Sequence, residues 1–376
     1  MVPEPKMIMF AGGGTGGHLF PGISLAQEFN RRFPDLDIVF AGTRKGLEAR
    51  VIPPLGYRLV FIKIGGLVGK GLRQRIKVIG SLPRALIQAL ILLVRYQPDL
   101  VVGLGGYASA PVLVAARMAG IPLVIQEQNA FPGLVNRCLA PFADVIFIAF
   151  DKAREKLHNR KIINAGNPIR AELIRETALP PGKSADFVIL VLGGSLGAHS
   201  LNKTVPVALV RLKESGVPVR VIHQTGSKEL ERVREAYQTS GIQAEVADFF
   251  ADMGRRYAQA DLVICRAGAL TLAELALLGR PAVLIPYPHA AHDHQQFNAQ
   301  VFVEKGAALM MMDQALNEEE LAAMLTALYK DPDRRRQMAM EAASLGRPRA
   351  AAQIIDTCLQ VMGFSTLKEP KDENAS

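Results

Sequence analysis

The chain has 376 residues and a mass of 40.7 kDa, a length that predicts two or three domains. Hydrophobic residues make up 49% and charged residues 21%, which excludes a disordered or low-complexity protein. The net charge of +9 is concentrated at one end, because residues 1–170 carry 22 Lys and Arg against 10 Asp and Glu. An anionic partner is therefore expected to bind the N-terminal part.

Cysteine usage and the N-terminus both favour the cytoplasm. The three cysteines, Cys138, Cys265 and Cys358, are far apart and form neither a disulfide framework nor a CxxC metal pair. The first residues lack the apolar core and cleavage site of a secretory signal, and no apolar run approaches the roughly 20 residues of a spanning helix.

Two segments of the chain resemble each other. MIMFAGGGTGGH (7–18) and VILVLGGSLGAH (188–199) both read as an apolar strand, a glycine loop and a histidine before a helix. Further Val- and Ile-rich runs with helical segments between them lie at 37–42, 99–106, 121–129, 144–149, 219–226, 244–250, 261–268 and 281–288. This pattern predicts an α/β protein of two doubly wound, Rossmann-like domains facing across a cleft, with the glycine loops at that cleft.

The domain boundary is expected near the GNPIR sequence. We assign residues 1–168 to the N-terminal domain, 169–364 to the C-terminal domain and 365–376 to a disordered tail. A last helix at about 350–362 could instead pack back on the N-terminal domain.

The first glycine loop matches G-x-G-x-x-G at Gly12, Gly14 and Gly17. A dinucleotide site also requires an acidic residue at the end of the second strand, and FAGTRKG has none, which disfavours NAD. The loop amides could instead face an anion or a sugar, or the glycines could serve tight packing alone. In the second loop, Ser195 suits a phosphate oxygen or a simple N-cap.

Polar residues follow several predicted strands. His18 could accept the proton of an acceptor hydroxyl or merely fix the loop. The run 126–129 (QEQN) could meet a ligand or form hydrogen bonds within its own loop. In CRAGALTLAEL, Thr271 and Glu274 fit either ribose recognition by the carboxylate or a capping box.

No metal site is expected. His289, His292, Asp293 and His294 are close in sequence but do not have the spacing of a known zinc motif. The two D-x-D matches, at 35–37 and 331–333, read as solvated turns. Gln295 and Gln296 are better explained as donors to sugar hydroxyls or phosphate.

The stretch 66–96 is basic and apolar and contains no acidic residue. Its helical pattern places apolar side chains beside basic ones, which suits docking on anionic lipid headgroups; an ordinary solvated helix is the alternative. The stretch has few aromatic residues for base stacking, so nucleic acid is not expected. The residues expected to meet lipid are Leu72, Arg73, Arg75, Ile76, Lys77 and Ile79.

The motifs GGGTGGHLFPGISLA, GLGGYASAP, QEQNAFPGLVN, AGNPIR, LGGSLGAHSLN, CRAGALTLAEL and DHQQFNA resemble, in this order, those of the MurG family. The resemblance covers about residues 7–360 and implies a GT-B glycosyltransferase of peptidoglycan synthesis. Such an enzyme transfers GlcNAc from UDP-GlcNAc to the C4 hydroxyl of the muramyl sugar of lipid I, with inversion, and forms lipid II and UDP. The resemblance also implies a peripheral enzyme on the cytoplasmic face of the inner membrane, with roles in cell shape and division and no cofactor.

The same resemblance implies the site residues. The C-terminal domain would bind UDP-GlcNAc, the N-terminal domain would bind lipid I and anionic phospholipid, and His18 would be the catalytic base or orienting group. Substrate would contact Thr15, Gly16, Gly17, Asn129, Arg170, Ser195, the backbone near Phe250, Ala269, Leu270, Thr271, Glu274, Gln295 and Gln296. Two departures are Gln126, where the family commonly has His, and Phe250, which replaces an aliphatic residue.

Two other functions remain open on the sequence. A UDP-sugar epimerase of the same fold would need no lipid acceptor, and a nucleotide-sugar binding module would show no turnover.

Overall fold

The computed structural model describes residues 4–65, 72–170, 173, 186–194 and 197–364, with the backbone alone for residues 72–79. The described residues form two compact units. Unit 1 contains residues 4–128, 132–168 and 349–364, and unit 2 contains residues 129–131 and 169–348. The tail expected at 365–376 lies outside the described residues.

Strands and helices alternate along the chain. The strands are β1 (Met7–Gly12), β2 (Asp37–Gly42), β3 (Arg58–Phe61), β4 (Leu100–Gly105), β5 (Leu123–Glu127), β6 (Val145–Ile148), β7 (Ile162–Asn164), β8 (Phe187–Leu192), β9 (Val219–Gln224), β10 (Gln243–Ala247), β11 (Leu262–Cys265), β12 (Ala282–Leu284) and β13 (Ala308–Met310). The α-helices are α1 (Gly16–Arg32), α2 (Glu48–Val51), α3 (Leu72–Tyr96), α4 (Ser109–Met118), α5 (Leu134–Leu139), α6 (His199–Glu214), α7 (Leu230–Ser240), α8 (Met253–Gln259), α9 (Ala269–Leu277), α10 (His294–Glu304), α11 (Glu318–Lys330), α12 (Pro332–Ser344) and α13 (Ala350–Val361).

Unit 1 is built on a seven-stranded parallel sheet in the order β3-β2-β1-β4-β5-β6-β7. Side chains alternate between its two faces, so that Ile8 and Phe10 of β1 pack in one core cluster while Met9 and Ala11 pack in the other. Because both faces are covered, the strands read as continuous apolar runs.

Unit 2 repeats this plan with a six-stranded parallel sheet in the order β10-β9-β8-β11-β12-β13. Each sheet reverses its strand order beside its first strand, between β1 and β4 and between β8 and β11. Ligands of such sheets bind outside the carboxyl ends of the strands at this reversal, which is where each glycine loop begins. The predicted class, two parallel-sheet α/β domains, is confirmed.

Helix α13 belongs to unit 1, although it follows unit 2 in the sequence. Its buried residues Ile354, Ile355 and Cys358 join the core cluster on the α1 side of the sheet. Arg32 of α1 also donates to Asp356, with 2.6 Å between Nη1 and Oδ1. Among the described helices, none is long and apolar enough to cross a membrane.

Candidate active site

The first glycine loop leaves β1 in a conformation that requires glycine. Gly12, Gly13 and Gly14 have φ values of 146°, 141° and 88°. A Cβ on Gly12 would lie 2.7 Å from the carbonyl oxygen of Gly105, at the end of β4. Close packing of the two strand exits therefore accounts for part of the glycine pattern, before any ligand is considered.

His18, in the first turn of α1, is held in one orientation by Gln128. Nδ1 of His18 lies 2.9 Å from Oε1 of Gln128. The amide nitrogen of Gln128 donates to the carbonyl oxygens of Leu104 and Gln126, both at 3.1 Å, so Oε1 is the atom that accepts from His18. In the neutral imidazole the proton is therefore on Nδ1, and Nε2 has the free lone pair that a general base needs.

The other residues of the QEQN segment before Asn129 form hydrogen bonds within unit 1. Oε2 of the buried Glu127 accepts from the amide of Gly133 at 3.0 Å and from Nδ2 of Asn136 at 2.8 Å. Gln126 is also buried and donates to the carbonyl of Gly166 at 3.2 Å. Internal hydrogen bonding thus explains the burial of Glu127, whereas Oε1 of Gln126 has no hydrogen-bond partner among the described residues.

In unit 2, α9 follows β11 directly after a short turn. The helix begins at Ala269 with Gly268 as its N-cap, so Ala269, Leu270 and Thr271 form the first turn. The capping-box interpretation of Thr271 and Glu274 is wrong, because Thr271 lies inside the helix. The amides of this turn and the helix dipole suit a diphosphate.

Glu274 is bound by Tyr257 of α8. The Tyr257 hydroxyl, which is fully buried, donates to Oε2 of Glu274 at 2.8 Å. Burial raises the pKa of Glu274 above its usual range, while this hydrogen bond and the positive charge of Arg170 act in the opposite direction. Among the described residues, the other carboxylate oxygen of Glu274, Oε1, has no hydrogen-bond partner.

Phe250 is buried after β10, and its amide already has a partner. The N–H of Phe250 donates to Oε1 of Gln224 at 3.1 Å. The guanidinium of Arg256 lies over its ring, 4.7 Å from the centroid. The amide of Phe250 is therefore already occupied by a hydrogen bond within unit 2.

A buried asparagine that the sequence analysis missed organises the sugar-binding candidates of unit 2. Asn298 of α10 donates to Oδ1 of Asn129 at 3.2 Å and to the carbonyl of Ala267 at 3.2 Å, and it accepts from the amide of Ala130 at 2.8 Å. Its position inside the DHQQFNA motif was the available signal.

The two glutamines of that motif begin the same helix. Oε1 of Gln295 accepts from the amide of Tyr287 at 2.9 Å, and Gln296 is half-buried. This hydrogen bond holds the side chain of Gln295 beside the segment that follows β12.

The remaining predicted residues belong neither to the His18 loop of unit 1 nor to the α9 and α10 region of unit 2. Ser195 lies outside the described residues, as do the side chains of Leu72, Arg73, Arg75, Ile76, Lys77 and Ile79 on α3. Within the described part of the chain, no three His, Cys, Asp or Glu side chains could hold a metal ion together. Asp35, Asp37, Asp331 and Asp333 are exposed, and Asp331 caps α12 through the amide of Arg334.

Two family models match this chain. Residues 8–148 match the N-terminal domain of glycosyltransferase family 28 and residues 188–354 match its C-terminal domain. The chain belongs to glycosyltransferase family 28.

Full-length relatives narrow this assignment. The UDP-N-acetylglucosamine–N-acetylmuramyl-(pentapeptide) pyrophosphoryl-undecaprenol N-acetylglucosamine transferase of Myxococcus xanthus is 46% identical over 94% of this chain and 93% of its own length. The enzyme of the same name from Syntrophotalea carbinolica is 46% identical over 95% of this chain and 99% of its own length. The crystal structure of Acinetobacter baumannii MurG matches with a TM-score of 0.79 at 30% identity, over 95% of this chain and 100% of its own. Within the family, the chain is a member of the MurG group, with the GT-B fold.

More distant structures share the fold alone. A UDP-GlcNAc 2-epimerase from Neisseria meningitidis, bound to UDP-GlcNAc, matches with a TM-score of 0.65 at 13% identity, over 94% of this chain and 100% of its own.

Proposed function

We propose that this chain transfers GlcNAc from UDP-GlcNAc to the C4 hydroxyl of the muramyl sugar of lipid I, giving lipid II and UDP with inversion at the anomeric carbon. The full-length likeness to transferases of that name supports this substrate pair. The observation that carries the mechanism is the hydrogen bond between His18 and Gln128, because it leaves Nε2 of His18 as a proton acceptor.

The reaction is a single displacement. Nε2 of His18 takes the proton of the acceptor hydroxyl, the hydroxyl oxygen bonds to the anomeric carbon, and the bond from that carbon to UDP breaks. Thr15, Gly16 and Gly17 would approach the donor sugar beside this base.

Unit 2 would bind the donor. Glu274 would accept hydrogen bonds from the ribose diol, and the backbone at Phe250 would meet uracil. Ala269, Leu270, Thr271, Arg170 and Ser195 would meet the diphosphate, where helix amides and a guanidinium stabilise the charge that leaves. Asn129, Gln295 and Gln296 would contact the GlcNAc.

The lipid acceptor requires the enzyme to work at a membrane surface. The described part of α3 supports this, because Ile87, Ile91 and Val94 follow one another at helical spacing and are 58%, 61% and 76% exposed. We propose that this stripe, with the basic residues before it, docks on anionic phospholipid at the cytoplasmic face of the inner membrane. Roles in cell shape and division would follow from lipid II supply.

The test is a radiolabel assay with UDP-GlcNAc and lipid I in vesicles, with and without EDTA. Transfer of label to lipid in both conditions is expected. Consumption of UDP-GlcNAc without acceptor would favour an epimerase, and nucleotide-sugar binding without turnover would favour a binding module.

A further inference from the structure

Glu48 is a fully buried carboxylate that contacts the first glycine loop. It is the first residue of α2, and its side chain reaches back toward the end of β1. Oε2 accepts from the amide of Gly14 at 2.7 Å. Oε1 accepts from the amide of Thr43 at 2.7 Å and from its hydroxyl at 3.0 Å. The loop and the β2 exit are thereby joined through one carboxylate.

Glycines surround this carboxylate because no side chain would fit. A Cβ on Gly13 would lie 2.6 Å from Oε2, and one on Gly42 would lie 2.9 Å from Oε1. A Cβ on Gly46 would be closer still. On the other side of the loop, a Cβ on Gly106 would lie 2.8 Å from the carbonyl oxygen of Gly13. The loop is therefore clamped between Glu48 and the β4 exit.

The donors around Glu48 resemble those of a phosphate-binding loop. Glycine-loop amides normally turn toward a bound anion. Here the anion is a side chain of the protein, and no ion pair among the described residues includes it. Its charge is stabilised by two amides and one hydroxyl, and a second anion next to it would be repelled.

We propose that Glu48 is the built-in anion of the first glycine loop. It is a positioning residue, which holds the Gly13–Gly14 turn and so fixes the start of α1, where His18 lies. It also prevents the loop from binding the diphosphate of the donor. The catalytic part of this assignment rests on the proposed transferase function.

The first test is Glu48→Ala with chemical rescue. The substitution removes two carbons and the two carboxylate oxygens, which together have the shape of acetate. We expect kcat for GlcNAc transfer to fall about 30- to 100-fold, since small displacements of reacting groups have effects of this size. The affinity for UDP should stay within about twofold, because its proposed contacts lie in unit 2. Acetate should restore kcat at least about fivefold, and chloride at equal ionic strength should not.

Two further variants make the test independent of one substitution. Gly46→Ala keeps Glu48 but forces its carboxylate away, so it should lower kcat similarly without acetate rescue. Asp144→Asn removes a carboxylate that accepts from the amide of Leu123 at 2.7 Å in the same unit, and it should leave kcat unchanged. If Glu48→Ala does not fold, the proposal is judged from kcat of Gly46→Ala alone, which should be lowered.

Wild-type kcat in both Glu48→Ala and Gly46→Ala would overturn the proposal. So would parallel losses of kcat, UDP affinity and thermal stability, or rescue by chloride as well as acetate. Absence of transfer by the wild-type protein would instead overturn the proposed function. In that case, acetate-specific stabilisation of Glu48→Ala against heat would still support the built-in anion, and its absence would refute it.

Discussion

The hydroxyl of Tyr257 donates a 2.8 Å hydrogen bond to Oε2 of Glu274, so a buried phenol fixes the carboxylate at the proposed ribose site. Tyr257 lies on α8 and Glu274 on α9, and the two helices flank β11 in the sequence. The orientation of Glu274 is therefore set by the protein before any nucleotide binds. Such preorganisation lowers the entropic cost of binding.

Glu274→Gln should weaken UDP binding about tenfold, because hydrogen bonds to a charged acceptor contribute roughly 1.5–3 kcal/mol each. The loss should be much smaller for 2′-deoxy-UDP, which lacks one of the two hydroxyls. Calorimetry with both nucleotides measures this, and an equal loss for the two would remove Glu274 from the ribose site. Glu231→Gln, at an exposed carboxylate of unit 2 paired with Arg234, is the matched control and should have no effect.

Tyr257→Phe should make UDP binding more sensitive to acid. Burial raises the pKa of Glu274, and the Tyr257 hydroxyl opposes that rise, so its removal moves this pKa further upward. The carboxylate is the stronger acceptor, so affinity falls as pH falls through the pKa. The decline should therefore begin at higher pH in the variant. Since the phosphate of UDP titrates in both proteins, the difference between the two pH profiles reports Glu274, and superimposable profiles would contradict the prediction.

His18→Ala should lower kcat at least about 100-fold while UDP affinity stays within about twofold, because a general base acts on the chemical step. Gln128→Ala should lower kcat less, about tenfold, because the imidazole remains but is no longer held in one tautomer. Steady-state kinetics with lipid I and calorimetry with UDP separate the two effects. His158→Ala removes an exposed histidine of the same unit and should behave as wild type; near-normal turnover in His18→Ala would exclude the base.

Replacement of Ile87, Ile91 and Val94 together by Ser should reduce vesicle binding at least about 30-fold, because burying apolar side chains of this size stabilises by roughly 1.5–3 kcal/mol each when burial is complete. Sedimentation with vesicles containing phosphatidylglycerol measures the partition. Ser at Val207 and Met340, which are 46% and 66% exposed in unit 2, provides the control. Equal sedimentation of the two variants would reject docking through α3.

The burial of His223 should make the unfolding free energy of the protein fall in acid. It is fully buried in unit 2, where Nδ1 lies 2.9 Å from the Tyr237 hydroxyl and Nε2 lies 3.1 Å from Oδ1 of Asn202. Burial lowers the pKa of His223 from 6.5 to about 3, although Glu229 acts in the opposite direction.

Because the folded pKa is depressed, the stabilisation is complete above pH 6.5 and is lost as the pH falls toward 3, by up to about 1.4 kcal/mol per pH unit. His223→Gln should therefore lose less unfolding free energy than wild type between pH 6.5 and 4. Urea titrations followed by circular dichroism test this, and parallel losses in the two proteins would contradict it.

The apolar strands next to the glycine loops were predictable because they are buried on both faces. The strand predicted at 37–42 (DIVFAG) is β2 with the same bounds. The two strand–loop–helix units also lie at the two similar segments of the sequence. The missed strands, β3, β7 and β13, are edge strands of three or four residues, too short to show a pattern.

The site was less predictable where function depends on the fold rather than on a motif. Nothing in the sequence indicated that Glu48 contacts the first glycine loop, because this residue lies six positions beyond Gly42 and its side chain turns back to the amide of Gly14. Similarly, Asn298 contacts Asn129 only because α10 packs beside that segment. Spacing along the chain cannot reveal such partners. For Thr271 and Glu274, by contrast, knowing that α9 begins at Ala269 would have been enough to exclude the capping box.

The position of α13 has a consequence for synthesis on the ribosome. Unit 2 consists mainly of one continuous segment, so its core can form as soon as residue 348 has emerged. Unit 1 still lacks Ile354, Ile355 and Cys358 at that moment, so the α1 side of its sheet is only partly covered. The half of the molecule translated first is thus completed last, and until then its open apolar surface is a target for chaperones.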